Sequence, residues 1–427
     1  MTIILFVSLL ILILLNIPIA LSIALASVAA ILFNGNIPLV VVVQKMIIAA
    51  DSFPLMAVPF FILAGSIMEH GGISSRLIRC ANVIAGQFTG GLALVAIIAS
   101  LFFGAISGSA AATVAAIGGI LIPAMIKRGY DVDYATAVQA SAGTLGVMIP
   151  PSIPMVVYGV LTGASIGTLF IAGIMPGILV GFSLMLVAYV IAKRRGYTGE
   201  AKASKAEIIK AYKDAIFALL MPVIILGGIY GSVFTPTEAA VVAVVYGIII
   251  GIFVYKELKP NRLKEVLAST AVTTGTVMFI ICTAAIFGWV LASEQIPQVV
   301  AASILSISEN PIVILALINL LLLIIGTFME TTAAIIIVVP VLMPIIDQLG
   351  INPIHFGIIV VVNLAMGMIT PPLGVCLFVG CGISKIKLED ITRAIWPFVL
   401  VMIIDIIILT YIPIISLFLP KLMGMPL

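Results

Sequence analysis

Apolar residues run along this chain in unbroken stretches of about twenty, parted by short polar turns. A run of that length spans the ~30 Å hydrocarbon core of a bilayer as a helix. The ten-residue alternation of an outer-membrane barrel strand does not occur, so the pattern predicts helices. Segments are predicted at roughly 2–16, 18–34, 54–70, 132–163, 166–192, 213–232, 237–255, 270–293, 353–384 and 394–420. Two further runs, 91–126 and 311–347, are too long for one straight crossing. Small or polar residues interrupt each in its middle, which predicts a re-entrant hairpin that enters and leaves on one side. The segments after them, 132–163 and 353–384, are each predicted to be broken at mid-length. The fold class is thus an all-α integral membrane protein with about ten transmembrane helices and two re-entrant hairpins.

Composition agrees. Of 427 residues, 63% are hydrophobic and 9% charged, and the mean hydropathy is +1.37. A soluble domain has ~25% charged residues. The four cysteines show no CxxC spacing, and two histidines without HExxH argue against a zinc hydrolase. No GxxxxGK[ST] occurs, so no ATP hydrolysis is expected of this chain. Nothing in the composition points to nucleic acid. The first sixteen residues lack a basic n-region and an A-x-A site, and read as a first span rather than a signal peptide.

The positions of the charges set the topology. Eighteen of the twenty Lys and Arg fall in five places: 76–79, 127–128, 193–213, 256–264 and 385–393. If 91–126 and 311–347 are hairpins, all five lie on one face, which the positive-inside rule makes cytoplasmic. The first hairpin then opens to the cytoplasm and the second to the opposite face. Residues 197–214 read as a cytoplasmic linker between a first half, 1–196, and a second, 215–427. Residues 73–88 and 257–269 are mildly amphipathic and read as interfacial arms.

The halves share a pattern. Pro123, Gly129, Gly146, Pro150, Pro151 and Gly159 precede Pro344, Gly350, Gly367, Pro371, Pro372 and Gly380 by one offset of 221. With the orientation drawn from the charges, this predicts the inverted repeat of a secondary transporter, with an external N-terminus.

The chemistry is expected at the hairpin tips and helix breaks. The first tip, around Ser107, Gly108, Ser109 and Thr113, sets hydroxyls beside carbonyls freed where the helix reverses. The second, Gly326 to Thr332, adds Glu330 with Thr331 and Thr332. A charge at mid-membrane costs ~2.5–3.5 kcal/mol, so it commonly faces a cavity and serves a role. The breaks hold Gly143, Gly146 and Pro150 in the first half, Gly367 and Thr370 in the second. Neutral oxygens of this kind suit Na⁺. A tip facing a break, twice, predicts two cation sites flanking one substrate site. Thr162, Ser165 and Thr168 lie beyond the first break, where they would border the substrate. Glu238, in Thr235-Pro236-Thr237-Glu238, reads as a helix cap. Asp51, Glu69 and Asp405 lie near or within spans and take no role from the sequence.

These residues resemble a family, the large membrane subunits of tripartite ATP-independent periplasmic (TRAP) transporters. The resemblance covers the whole chain. It rests on LLNIPIA, SGSAAAT (107–113), the GxxIPPS break (146–152), GASIGTLFIAGIMPG (163–177), TPTEAA (235–240) and TPPLG (370–374). It implies an elevator carrier in the bacterial inner membrane, with hairpins and broken spans moving against a scaffold of the remaining helices. It also implies a separate, small four-helix membrane subunit, a periplasmic substrate-binding protein and uptake of an organic acid driven by Na⁺. Sialic acid is the expected substrate, with C4-dicarboxylates as the alternative. Ser109, Ser165 and Glu330 become the expected substrate- or ion-site side chains. No arginine lies in the hairpins or broken spans to clamp a carboxylate, which leaves that task to hydroxyls and backbone N–H groups. A Na⁺/H⁺ exchanger is the rival reading, and it needs a second carboxylate beside Glu330. An intramembrane hydrolase would need a Ser/His pair or twin aspartates that the sequence lacks.

Overall fold

The computed structural model describes every residue except 16, 36 and 309, and only the backbone of 305–307. It is 81% helical, and the described residues include no strand. Nine of their helices are long and apolar enough to cross a membrane, or ten if one bent pair counts as a single span.

The chain begins with α1 (Thr2–Leu14) and α2 (Ile19–Asn34), which pack on one another. Asn16, within LLNIPIA, lies outside the described residues. Next come α3 (Val40–Ala50) and α4 (Ala57–His70), bent by 65° at a break around 51–53. The sequence reading assigned no helix to α3, an apolar run too short to span that carries Gln44 and Lys45. The amphipathic arm at 73–88 forms α5 (Ile73–Ala85). α6 (Gly91–Ser107) and α7 (Ala110–Lys127) pack together as the two arms of the 91–126 segment. The 132–163 segment is broken as α8 (Val132–Gly143), α9 (Leu145–Met148) and α10 (Ile153–Thr162). The long α11 (Ile166–Arg195) follows.

The polar linker is shorter than its composition indicates. α12 (Lys205–Tyr230) begins within it, started by a capping box. There the Ser204 hydroxyl accepts from Glu207 N–H at 3.2 Å, and the Glu207 carboxylate accepts from Ser204 N–H at 2.7 Å. The same device starts α13 (Pro236–Ile249), where Thr235 and Glu238 cap each other as expected.

α14 (Pro260–Ser293) corrects a second expectation. Residues 257–269 are not a separate arm, because one 34-residue helix runs on from Pro260 through 270–293. No glycine or proline interrupts 261–274, and the hydroxyls of Ser269 and Thr273 turn back onto their own helix. The helix in the arm's place is α15 (Ile296–Ile307). Then come α16 (Pro311–Phe328), α17 (Thr331–Gln348), α18 (Pro353–Gly367) and α19 (Val375–Ser384). The predicted 394–420 segment divides at Pro413 into α20 (Leu388–Tyr411) and α21 (Ile414–Leu422).

Elements recur along the chain. α7 and α17 start and end 221 residues apart, and α8 and α18 start 221 apart. One bond recurs with them. Tyr134 Oη on α8 donates to the Ala188 carbonyl of α11 at 2.7 Å. His355 Nε2 on α18 lies 3.2 Å from the Thr410 carbonyl of α20.

The helices pack as two groups. α1–α4 gather with α12–α14, while α6–α11 gather with α16–α21. α5 touches both α12 and α6, and α15 touches both α14 and α17. The broken segment 132–162 runs through the interior, with 89% of its apolar window buried, against 33% for α11. Phe182 and Val223 are among the large apolar side chains left on the outside, as lipid contact requires.

Candidate functional site

The first tip is built by one turn of backbone. Gly108 takes φ +62°, a left-handed conformation open to glycine, and ends α6. Ser109 is extended and caps α7, its hydroxyl accepting from Ala112 N–H at 3.4 Å. The buried hydroxyls of Ser107 and Thr113 lie 3.0 Å apart, and Thr113 donates to the Ser109 carbonyl at 2.8 Å.

The first break closes on this tip. A Cβ on Gly146 would meet the Ser109 carbonyl oxygen at 2.6 Å and overlap the Thr113 hydroxyl. A Cβ on Gly143 would meet the Ala110 carbonyl at 3.2 Å. Ile153 N–H donates to the Gly108 carbonyl at 3.4 Å, tying α10 to the tip. Pro150 lies in the same break, in a cis peptide bond with Pro151. Ser107, Gly108, Ser109, Thr113, Gly143 and Gly146 are thus brought together, with Pro150 in the break beside them.

The second tip repeats the plan with a carboxylate. Glu330 stands where Ser109 does, at the N-cap of the following helix, and accepts from Thr332 N–H at 2.8 Å and Ala333 N–H at 3.2 Å. The Thr332 hydroxyl reaches its other oxygen at 3.1 Å. A helix N-terminus suits this charge, because unpaired N–H groups and the helix dipole both favour an anion. A Cβ on Gly326 would lie 3.2 Å from Gly367 Cα. The Thr331 hydroxyl lies 3.2 Å from Met368 Sδ. Thr370 donates to the Met366 carbonyl at 2.9 Å, just before the cis Pro371–Pro372 bond.

Both tips and both breaks open on one cavity of about 460 Å³. Ser107 to Ala112 enter from the first tip, Glu330 and Thr332 from the second, and Val147 and Met368 from the breaks. α4 contributes Ser66 and Glu69, and α14 contributes Ser269, Thr270, Thr273 and Thr276. α4 comes this close because Gly65 leaves room for Ser107, whose Cα would lie 3.1 Å from a Cβ there. Among the described residues the lining carries two carboxylates, Glu69 and Glu330, and no Lys, Arg or His. Glu69 is the penultimate residue of α4, ahead of Arg76 on α5, and Ser269 follows Lys264 on α14. Hydroxyl and carbonyl oxygens beside a carboxylate form a donor set for a hard cation. The same set lacks a fixed positive charge for an acid.

Sequence reasoning missed the wall made by α14 and Ser66. A signal existed, since Ser269, Thr273 and Thr276 recur at helical spacing. Thr162 and Ser165 stand apart from the central cavity. Thr162 donates to the Tyr158 carbonyl at 2.8 Å, and Ser165 caps α11. Ser165 lines a separate cavity of about 550 Å³, with Gly163, Pro54 and Thr237.

Comparison with known proteins agrees with this architecture. The tripartite ATP-independent periplasmic transporter, DctM component, family model matches residues 6–415. The chain is 47% identical to the isethionate TRAP transporter permease protein DctMQ of Oleidesulfovibrio alaskensis, over 94% of its own length and 64% of that protein's. It is 43% identical to the C4-dicarboxylate TRAP transporter large permease protein DctM of Vibrio cholerae, covering 96% of this chain and 95% of the relative. The sialic acid large permease protein SiaM of the same organism is 40% identical, over 95% of each chain. Among solved structures, the Alcanivorax borkumensis YdaH transporter shares the fold, with a TM-score of 0.57 at 17% identity over 86% of both chains. This chain therefore belongs to the DctM component family of tripartite ATP-independent periplasmic transporters, as a large permease and not an enzyme.

Proposed function

We propose that this chain is the substrate-carrying membrane subunit of a Na⁺-driven importer of a small organic acid in the bacterial inner membrane. One observation carries the reading. Two helix tips and two helix breaks converge on one cavity that, among the described residues, holds carboxylates and hydroxyls but no basic side chain. An organic anion entering such a cavity needs companion cations to offset Glu330 and Glu69. The oxygen clusters at Ser107, Ser109 and Thr113, and at Glu330 to Thr332, are where Na⁺ would sit. Each elementary charge moving down the membrane potential contributes ~2.3 kcal/mol per 100 mV, enough to concentrate an anion.

The halves act as inverted repeats in this reading, and the elevator motion is carried by α6–α11 with α16–α21. That group meets the other chiefly through α5, α15 and the cavity walls, which supports movement of one against the other. A small four-helix subunit and a periplasmic binding protein complete the transporter. Related proteins are named for isethionate, C4-dicarboxylates and sialic acid, so the acid is sought among these three, with no preference for sialic acid.

The test is uptake of each radiolabelled acid into proteoliposomes holding this chain, its small subunit and its binding protein. Uptake that requires both an inward Na⁺ gradient and the binding protein supports the proposal. Na⁺-dependent uptake without the binding protein would make the chain an autonomous carrier. A second reading gains from Glu69, which places a second carboxylate on the cavity with Glu330. If no acid is taken up and Na⁺ drives proton flux instead, the chain is a Na⁺/H⁺ exchanger.

A further inference from the structure

Asp405 lies inside α20, 2% exposed, among apolar residues of a predicted membrane span. Among the described residues its side chain makes one hydrogen bond, between Oδ1 and Ser183 Oγ on α11 at 2.8 Å, and Oδ2 is buried without a partner. No ion pair reaches it among the described residues. The charged groups of the elements packed on α20 lie toward helix ends, as Asp133 on α8 and Lys193 to Arg195 on α11. His355 on α18 is bonded to Ser416 and Thr410 instead.

The two partners of Ser183 bear on the charge state of Asp405. A serine hydroxyl has one proton to give and lone pairs to accept with. Ser183 Oγ lies 3.0 Å from the Leu179 carbonyl, one turn back on α11, and 2.8 Å from Asp405 Oδ1. The carbonyl can only accept. If the serine donates there, the proton between Ser183 and Asp405 must come from the aspartic acid. The resulting chain runs Asp405 O–H to Ser183 O–H to Leu179 C=O, with every hydrogen used. An ionised Asp405 would compete with the Leu179 carbonyl for one hydroxyl proton and would leave a buried negative oxygen bare, which is far costlier.

We infer that Asp405 is a proton-binding site inside the membrane, held as the neutral acid and ordered by Ser183. The position is notable within the chain. Ser183 and Asp405 are 222 residues apart, one more than the offset of 221, so a hydroxyl on α11 meets a carboxyl one residue beyond its counterpart on α20. The halves are thereby joined with no charge in the hydrocarbon, and the inference does not depend on which acid is transported.

Infrared absorption of the full chain in lipid nanodiscs at neutral pH tests it. Subtracting the Asp405→Asn spectrum from the wild type should show one protonated-carboxyl C=O band and no carboxylate band. A carboxylate pair in that difference would overturn the inference. Ser183→Ala gives an independent reading should Asp405→Asn fail to fold. Removing the acceptor should shift the acid band to higher frequency. An unshifted acid band would mean that Asp405 does not donate to Ser183.

Discussion

Gly326 and Gly367 meet backbone to backbone, with a Cβ on Gly326 falling 3.2 Å from Gly367 Cα and one on Gly367 overlapping the Gly326 backbone. The pair brings the end of α16 against the end of α18, as Gly104 and Gly146 bring α6 against α9, with 3.0 Å from a Gly104 Cβ to Gly146 Cα.

Gly367→Ala should therefore be severe. The overlap is with main chain, which cannot rotate away, so a loss of ~1–3 kcal/mol is expected. Acid uptake should fall below detection. Gly119→Ala, whose Cβ meets open space, is the control and should unfold at the wild-type temperature or slightly above. Thermal unfolding in nanodiscs with parallel uptake assays checks both.

Thr113→Val should raise the Na⁺ concentration for half-maximal uptake several-fold. The substitution keeps the shape but removes the hydroxyl that bonds Ser107 and the Ser109 carbonyl. Thr113→Ser keeps that oxygen and should stay close to wild type. Equal Na⁺ dependence in all three proteins would remove Thr113 from the cation site.

The two N-caps should separate in their effects. Ser109→Ala deletes one hydroxyl cap, expected to cost ~1 kcal/mol. Glu330→Gln keeps an acceptor for Thr332 and Ala333 but discards the charge. Its stability should change less than that of Glu330→Ala, while its Na⁺ dependence should weaken as much. Initial uptake rates against Na⁺, read beside unfolding temperatures, distinguish capping from cation binding.

Tyr134→Phe should cost ~0.5–1.5 kcal/mol, the worth of one hydrogen bond, because it leaves the Ala188 carbonyl without its partner across α8 and α11. Uptake by the surviving folded protein should be unchanged, since Tyr134 lines neither cavity described above. A selective loss of transport would assign that bond a part in the motion.

Much of the site was legible because its chemistry is local. Gly108 at a left-handed turn and Ser109 at a cap are consequences of a helix that stops inside an apolar run, and a run of 36 residues must stop. Glu238 was legible for the same reason, since a capping box spans four residues. The α14 wall was not. Ser269, Thr270 and Thr273 line the cavity only because α14 packs against α4 and α17, and their helical spacing marks a polar face without saying what that face meets. Ser165 shows the converse. Its neighbours along the chain led toward the substrate, but it caps α11 and faces another cavity.

The sequence by itself determined a helical membrane protein, the halves that share an offset of 221, and the tips and breaks. Hydrophobic run length, proline and glycine act over a few residues and leave a readable trace. Tertiary structure decided what had no such trace. It made 260–293 one helix, although an amphipathic stretch next to an apolar one looks the same whether the helix ends between them or continues. It placed α15 as the second bridge, and it brought Glu69 to the cavity of Glu330. It also set Asp405 against Ser183 across 222 residues of chain. Such pairings depend on which faces of distant helices meet, and that is fixed by packing the whole bundle rather than by any one segment.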